Sequence, residues 1–223
     1  MNFEKEKTDA FGKLIEQAED IVLLGHFNPD GDAIGSTLGL YHYLADMGKK
    51  VCIIYPNECP AATMIYLDGI DYIISFNGEK SARYRIKHAD LLICADFATY
   101  SRTCEQIEEY IGNNDCPKIM IDHHENPEHN GLLFSDPHAS STCELVYKIL
   151  SSYDKTHITL SCATALYMGI CTDTGSFSHS CSRRDVFDVA ACLVEMGVDV
   201  AAIKRQVVDL STENRLRLLG DVL

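Results

Sequence analysis

Short apolar runs recur along the first part of the chain, each bounded by polar or turn residues. IVLLGH (21–26), VCIIYP (51–56), YIIS (72–75), LLICAD (91–96), KIMIDHH (118–124) and LLFSD (132–136) have strand length and are rich in Ile, Val and Leu. Other stretches carry helical spacing. Residues 33–47, AIGSTLGLYHYLADM, place Ile34, Leu38, Tyr41 and Leu44 on one face, and residues 104–112 form a shorter amphipathic segment. Strands alternating with helices predict right-handed βαβ units. The expected architecture is α/β, with a mostly parallel central sheet and helices on both faces.

After about residue 140 the pattern becomes helical throughout. CELVYKILSSY (143–153), LSCATALYMGICTD (160–173), DVFDVAACLVEMG (185–197) and STENRLRLLGDVL (211–223) all read as helices, with Gly197 as the residue that ends the third. The last has no terminating cap, so residues 1–208 are expected to form one domain and residues 209–223 to begin a linker helix. No internal repeat, low-complexity tract or Gly/Ser linker interrupts the chain.

Composition narrows the class. With 46% hydrophobic residues among 223, the chain can bury a sizeable core. No apolar run approaches the ~20 residues of a membrane-spanning helix, and the start MNFEKEKTDAFGK lacks the basic and apolar regions of a leader, which points to the cytoplasm and away from membranes. The ten cysteines include no Cys-x-x-Cys pair, and most lie in apolar surroundings, as small hydrophobes. The formal charge of −14 argues against duplex DNA as a partner. It leaves phosphate substrates open, because bound divalent cations can invert the local sign of a carboxylate-rich cleft.

In a parallel sheet, functional residues gather where the strands end at their carboxyl side. Four segments stand at or near such ends: His26-Phe27-Asn28-Pro29-Asp30-Gly31-Asp32, Asp96, Asp122-His123-His124, and Asp173 before a Gly turn. Carboxylates with neutral imidazoles suit Mn²⁺ or Mg²⁺ better than thiolates would. Two such cations about 3.5–4 Å apart can clamp a phosphoryl group and lower the pKa of a water between them. Each segment also has an ordinary reading. Asn-Pro-Asp-Gly is a common surface turn, Asp96 can cap the following segment, and Asp122 can be solvated. The coincidence of four acidic ends, two with histidines, favours a metal site.

These segments resemble the DHH phosphoesterases. His26 to Ser36 is similar to the first motif of that family, Asp96 with Arg102 to the second, Asp122-His123-His124 to the triplet that names it, and Gly169-Ile170 with Thr172 to Gly175 to the fourth. Order and spacing agree over roughly residues 20–200. Ala139 to Glu144 fits the branch of bifunctional oligoribonucleases and phosphoadenosine phosphate phosphatases. The resemblance implies His26, Asp30, Asp96 and Asp173 on one metal, and Asp32, Asp96, His123 and Asp173 on the other. The metals would be two divalent ions, with Mn²⁺ expected and Mg²⁺ or Zn²⁺ as alternatives. It places His124 at the scissile phosphate, as a donor of a proton or hydrogen bond. Asp122 would orient a histidine, and Arg102 would supply charge near substrate phosphate, a surface role being equally open. Asn28, Ser141 and Thr142 are expected substrate contacts, although an N-cap accounts for the last two equally well.

The implied reaction is hydrolysis of short oligoribonucleotides and of 3′-phosphoadenosine 5′-phosphate by a water activated between two metals. The alternatives are cleavage of c-di-AMP or pApA, and a non-catalytic metal- or nucleotide-binding module. Relatives in this branch carry a C-terminal substrate-binding domain with a Gly-Gly-Gly-His motif, which this sequence lacks. A homodimer is plausible from the family. His42, His88, His129, His138, His157 and His179 match no motif and are expected to be surface or structural residues.

Overall fold

A computed structural model describes residues 5–58, 67–76, 80–205 and 217. The chain order is α1 (Lys5–Gln17), β1 (Asp20–Leu24), α2 (Gly31–Asp46), β2 (Lys50–Tyr55), β3 (Ile73–Ser75), α3 (Lys80–His88), β4 (Leu91–Ala95), α4 (Glu105–Gly112), β5 (Lys118–Asp122), β6 (Leu132–Ser135), α5 (Thr142–Asp154), α6 (Leu160–Asp173), α7 (Arg184–Glu195) and α8 (Val200–Ile203). The helix expected from Ser211 lies outside the described residues.

All six expected strands form, and they build one sheet in the order β3-β2-β1-β4-β5-β6 with every pairing parallel. The central strands β1, β4 and β5 are buried on both sides, so their residues divide alternately between two cores, while the edge strands β3 and β6 are partly exposed. Ile21 and Leu23 of β1, with Ile93 of β4 and Ile119 and Ile121 of β5, face α1, α2, α5, α6 and α7. Val22 and Leu24, with Leu92, Cys94 and Met120, face α3 and α4. Burial of each such side chain contributes about 1.5–3 kcal/mol. The strand order reverses between β1 and β4, so the connections leaving their carboxyl ends part in opposite directions and open a crevice there.

Three helices were absent from the sequence reading: α1, α3 and the four-residue α8. The first, KEKTDAFGKLIEQ, buries Thr8, Phe11, Gly12 and Ile15, an i, i+3, i+4, i+7 stripe set among charges. The second, KSARYRIKH, buries only Ala82 and Ile86. Every strand except β3 also ends one or two residues before its apolar run does. β1 ends at Leu24 and β5 at Asp122, so His26, His123 and His124 stand in loops beyond the sheet.

Helices α2 and α6 pack unusually close. Gly31, Gly35 and Gly39 repeat every fourth residue on α2, along the face turned to α6. A Cβ at Gly35 would lie 2.6 Å from the carbonyl oxygen of Ala165, and one at Gly39 would lie 2.5 Å from Leu166 Cδ2. Gly169 of α6 returns the contact, its missing Cβ leaving room for Cys143 Sγ of α5. The nine described cysteines are all free thiols. No helix among the described residues is long and apolar enough to cross a membrane.

Candidate metal centre

The crevice between β1 and β4 collects the residues that the sequence pattern singled out. His26 follows β1, is buried, and is fixed by its Nδ1 atom 2.8 Å from the Phe27 carbonyl oxygen. That leaves Nε2 pointing to Asp96 Oδ2 at 3.8 Å. The next residues turn sharply. Asn28 adopts φ 54°, held by reciprocal bonds with Asn57: its backbone N–H donates to Asn57 Oδ1 at 2.7 Å, and its Oδ1 accepts from Asn57 Nδ2 at 3.0 Å. Asp30 then caps α2, with Oδ1 accepting from the backbone N–H groups of Asp32 and Ala33, both at 3.0 Å. Asp30 is thus the N-cap of α2 and at the same time a candidate donor beside His26 and Asp96.

Asp96 directly follows β4 with φ 67°, a left-handed conformation that Asp tolerates better than most residues and that is common where geometry serves a site. Its carboxylate is buried and accepts the Thr142 hydroxyl at 2.8 Å. His123 Nε2 lies 3.7 Å from Asp96 Oδ1, 3.8 Å from Asp32 Oδ2 and 3.5 Å from Asp173 Oδ2. Asp173 is the last residue of α6. Ligand atoms of His26, Asp30 and Asp96 lie within 4.8 Å of one another, as do those of Asp32, His123 and Asp173 and those of Asp96, His123 and His124.

The third grouping is divided by hydrogen bonding. His124 Nδ1 donates to Asp122 Oδ1 at 2.7 Å, and the same oxygen accepts the His124 backbone N–H at 3.1 Å. This fixes the tautomer and leaves Nε2 facing outwards, 3.5 Å from Arg102 Nη1. The hydrogen bond to Asp122 raises the His124 pKa against the opposing effect of burial. Arg102 belongs to a short 3-10 turn, Tyr100–Arg102, whose last carbonyl accepts the Phe27 backbone N–H at 2.8 Å. That bond ties the β4 loop to the β1 loop. Asp122 is wholly buried; it holds His124 by hydrogen bonding, and its charge also raises Asp96.

Ser141 follows the N-cap reading of this segment, and Thr142 is the first residue of α5. Both are fully buried, and their polar groups are already committed. Ser141 is the N-cap of α5, accepting from Glu144 N–H at 3.1 Å. Thr142 and Cys143 donate their backbone N–H groups to the two oxygens of Asp32, at 2.6 and 2.9 Å. The anion at the helix N-terminus is thus the protein's own carboxylate and not a substrate phosphate. Cys143 is the residue the sequence reading missed. The Ser141-x-x-Glu144 spacing, a capping-box signature, marks the helix start that makes its N–H available. Glu144 in turn accepts the Ser140 N–H and pairs with buried Lys148, which also reaches Asp185 at 3.0 Å. Of the remaining histidines, His42 bonds the Asp68 carbonyl and His157 bonds Asp46.

The electrostatics require a counter-charge. Burial, followed by repulsion from Asp96, holds Asp32 well above the usual carboxylate range. Burial, followed by the charge of Asp30, raises Asp96. Burial, followed by Asp32, pushes Asp173 up to about 7. Clustered buried carboxylates are stable only with protons or cations among them, and a site of carboxylates and neutral imidazoles fits divalent metal.

Buried carboxylates and imidazoles at the switch point of a doubly wound parallel sheet define an α/β protein with a metal-type centre. The chain belongs to the DHH family of phosphoesterases: residues 20–170 match the DHH family, N-terminal domain. The bifunctional oligoribonuclease and PAP phosphatase NrnA of Thermus thermophilus is 30% identical over 210 residues, 91% of this chain and 58% of that protein. The cyclic-di-AMP phosphodiesterase GdpP of Bacillus subtilis is 28% identical over 206 residues, 88% of this chain and 31% of that protein. The crystal structure of an exopolyphosphatase-related protein from Bacteroides fragilis superposes with a TM-score of 0.94 at 35% identity, over 98% of this chain and 65% of that one. The chain therefore spans less than two thirds of the length of each.

Proposed function

We propose that this chain holds two divalent cations and hydrolyses phosphoesters of short oligoribonucleotides and of 3′-phosphoadenosine 5′-phosphate. The observation that carries this reading is the pair of adjoining donor groups, His26-Asp30-Asp96 and Asp32-His123-Asp173, with His123 also within 4 Å of Asp96. Asp96 lies between the groups and would serve both ions. Mn²⁺ is the ion we expect. When bound, the two cations supply Lewis acidity at the phosphoryl oxygens and acidify water.

The chain's own residues supply the rest. Asp122 holds the His124 ring so that Nε2 is presented to the substrate side, where it can deliver a hydrogen bond or proton to the departing oxygen. Arg102, beside Nε2, offers positive charge to a non-bridging oxygen. The α5 N–H groups keep Asp32 in place from behind. Replacing Asp122 with asparagine is expected to reduce turnover about 10–100-fold with Mn²⁺ affinity nearly unchanged, as steady-state kinetics and a metal titration would measure.

The reading is tested by following AMP and phosphate release from 3′-phosphoadenosine 5′-phosphate and AMP release from pApA, with and without Mn²⁺, for wild type and His123→Ala. Mn²⁺-dependent turnover that disappears in the variant is the expected result. Neither turnover nor Mn²⁺ binding would overturn the reading. The cyclic-di-AMP phosphodiesterase relatives support a second reading, that a dinucleotide such as pApA is the preferred substrate. A higher kcat/KM for pApA than for 3′-phosphoadenosine 5′-phosphate would select it.

A further inference from the structure

A second pocket lies at the opposite edge of the sheet from the metal centre, where β1 and β2 begin. Its volume is about 380 Å³, within the size range of small-molecule sites. Its floor is apolar, made by Ile21 and Val22 of β1 and Cys52 of β2. One wall is a single stripe of α3, formed by positions 81, 84, 85 and 88 at i, i+3, i+4, i+7 spacing, while Ala82 and Ile86 on another face anchor the helix to the core.

That stripe does not have the composition of a packing face. Tyr84 is 65% exposed, and its ring lies 4.3 Å from that of His88, so the two present an aromatic surface. Arg85 makes no ion pair or hydrogen bond among the described residues. Its guanidinium acts on the Cys52 thiol at the pocket floor, opposing the larger effect of burial. Across the pocket, Lys50 pairs only loosely with Asp20, at 4.0 Å and with both side chains more than half exposed. Such a pair yields readily to a better anion. In a chain of net charge −14, the pocket lining gathers two cations, Lys50 and Arg85, against the single carboxylate of Asp20, while Asp90 beside the pocket acts on Lys50.

We propose that this pocket binds a nucleoside 5′-monophosphate, its base on Tyr84 above the apolar floor and its phosphate between Lys50 and Arg85. An inorganic anion would leave the floor and the aromatic surface uncovered. A neutral nucleoside would leave both cations unmatched. The site is independent of the activity proposed for the metal centre.

The test is calorimetric titration of AMP into the full chain in EDTA, with adenosine and inorganic phosphate as separate titrants. Arg85→Ala, Tyr84→Ala and the metal-centre variant Asp30→Ala are compared with wild type. AMP is expected to bind wild type and Asp30→Ala equally, and more weakly as salt rises. Arg85→Ala and Tyr84→Ala should each weaken it about tenfold, the scale of one charge-assisted hydrogen bond or one base stack. Arg85→Lys should retain most of the affinity. Both side chains are exposed, so the variants should fold, as circular dichroism would verify. The proposal is overturned if AMP does not bind, if both alanine variants bind as wild type, if phosphate alone binds as tightly, or if Asp30→Ala abolishes binding and so locates AMP at the metal centre.

Discussion

With Asp96 replaced by asparagine, the metal-free protein should melt no lower than wild type, while Mn²⁺ should no longer raise its melting temperature and turnover should fall by at least about 10³-fold, or about 4 kcal/mol. Asparagine keeps the shape, tolerates φ 67° and can still accept the Thr142 hydroxyl. It removes one negative charge from a buried group facing Asp30 and removes the donor placed between the two proposed ions. A carboxylate retained for structure would give the reverse, a metal-free protein weakened by its loss.

The same electrostatics set a pH dependence. Asp32, Asp96 and Asp173 hold their protons more tightly in the folded chain than in the unfolded one, where Asp titrates at about 3.9. Their contribution to stability is therefore complete below about pH 4 and is lost as the pH rises through the folded values, about 7 for Asp173. In EDTA, the melting temperature should decline from pH 4 towards pH 7 through these groups, and the decline should be shallower in Asp96→Asn. Saturating Mn²⁺ should oppose it, because the metal binds the ionised form of the native state. Scanning calorimetry at several pH values, with and without Mn²⁺, reads both effects.

A second large effect is expected where no ligand changes. Gly35→Ala should destabilise the fold by about 1–3 kcal/mol, because its methyl group would meet the Ala165 carbonyl oxygen at 2.6 Å and Cys143 Sγ at 2.9 Å. Relief requires α2 and α6 to separate. Asp32 lies at the start of α2 and Asp173 at the end of α6, so the separation moves two proposed ligands apart. Mn²⁺ affinity should fall about 10–100-fold, the scale seen when residues supporting metal ligands are altered. Gly112→Ala is the control. Nothing lies within 4 Å of its missing Cβ, so stability should be unchanged or slightly higher. Urea unfolding and a metal titration on both variants would distinguish a packing effect at the interface from a general intolerance of alanine.

The sheet was legible because buried parallel strands write themselves as continuous apolar runs, and LLICAD and KIMID could be little else. The helices α1 and α3 were not, since each spends few apolar residues on the core and spreads them among charges. At the metal centre, the acids and histidines at strand ends were visible from chain position alone. What could not be read was how the backbone serves them. That the α5 N–H groups close on Asp32, and that Thr142 is spent on Asp96, depends on where α5 docks relative to α2. Residues 32 and 142 come together only through tertiary packing, for which the sequence carries no local signal. The glycine spacing on α2 was present in the sequence, yet it acquires meaning only once α6 is known to be its neighbour.

The donors of this centre are dispersed from residue 26 to residue 173, and the last of them closes helix α6. During synthesis, the amino-terminal strands can pair long before Asp173 leaves the ribosome, so a nascent chain has only part of the centre to offer a cation. Capture of the proposed cations would be a late event, confined to chains in which α6 has already docked against α2. Binding of the proposed cations would then report on completed topology and favour the finished protein over its unfinished forms.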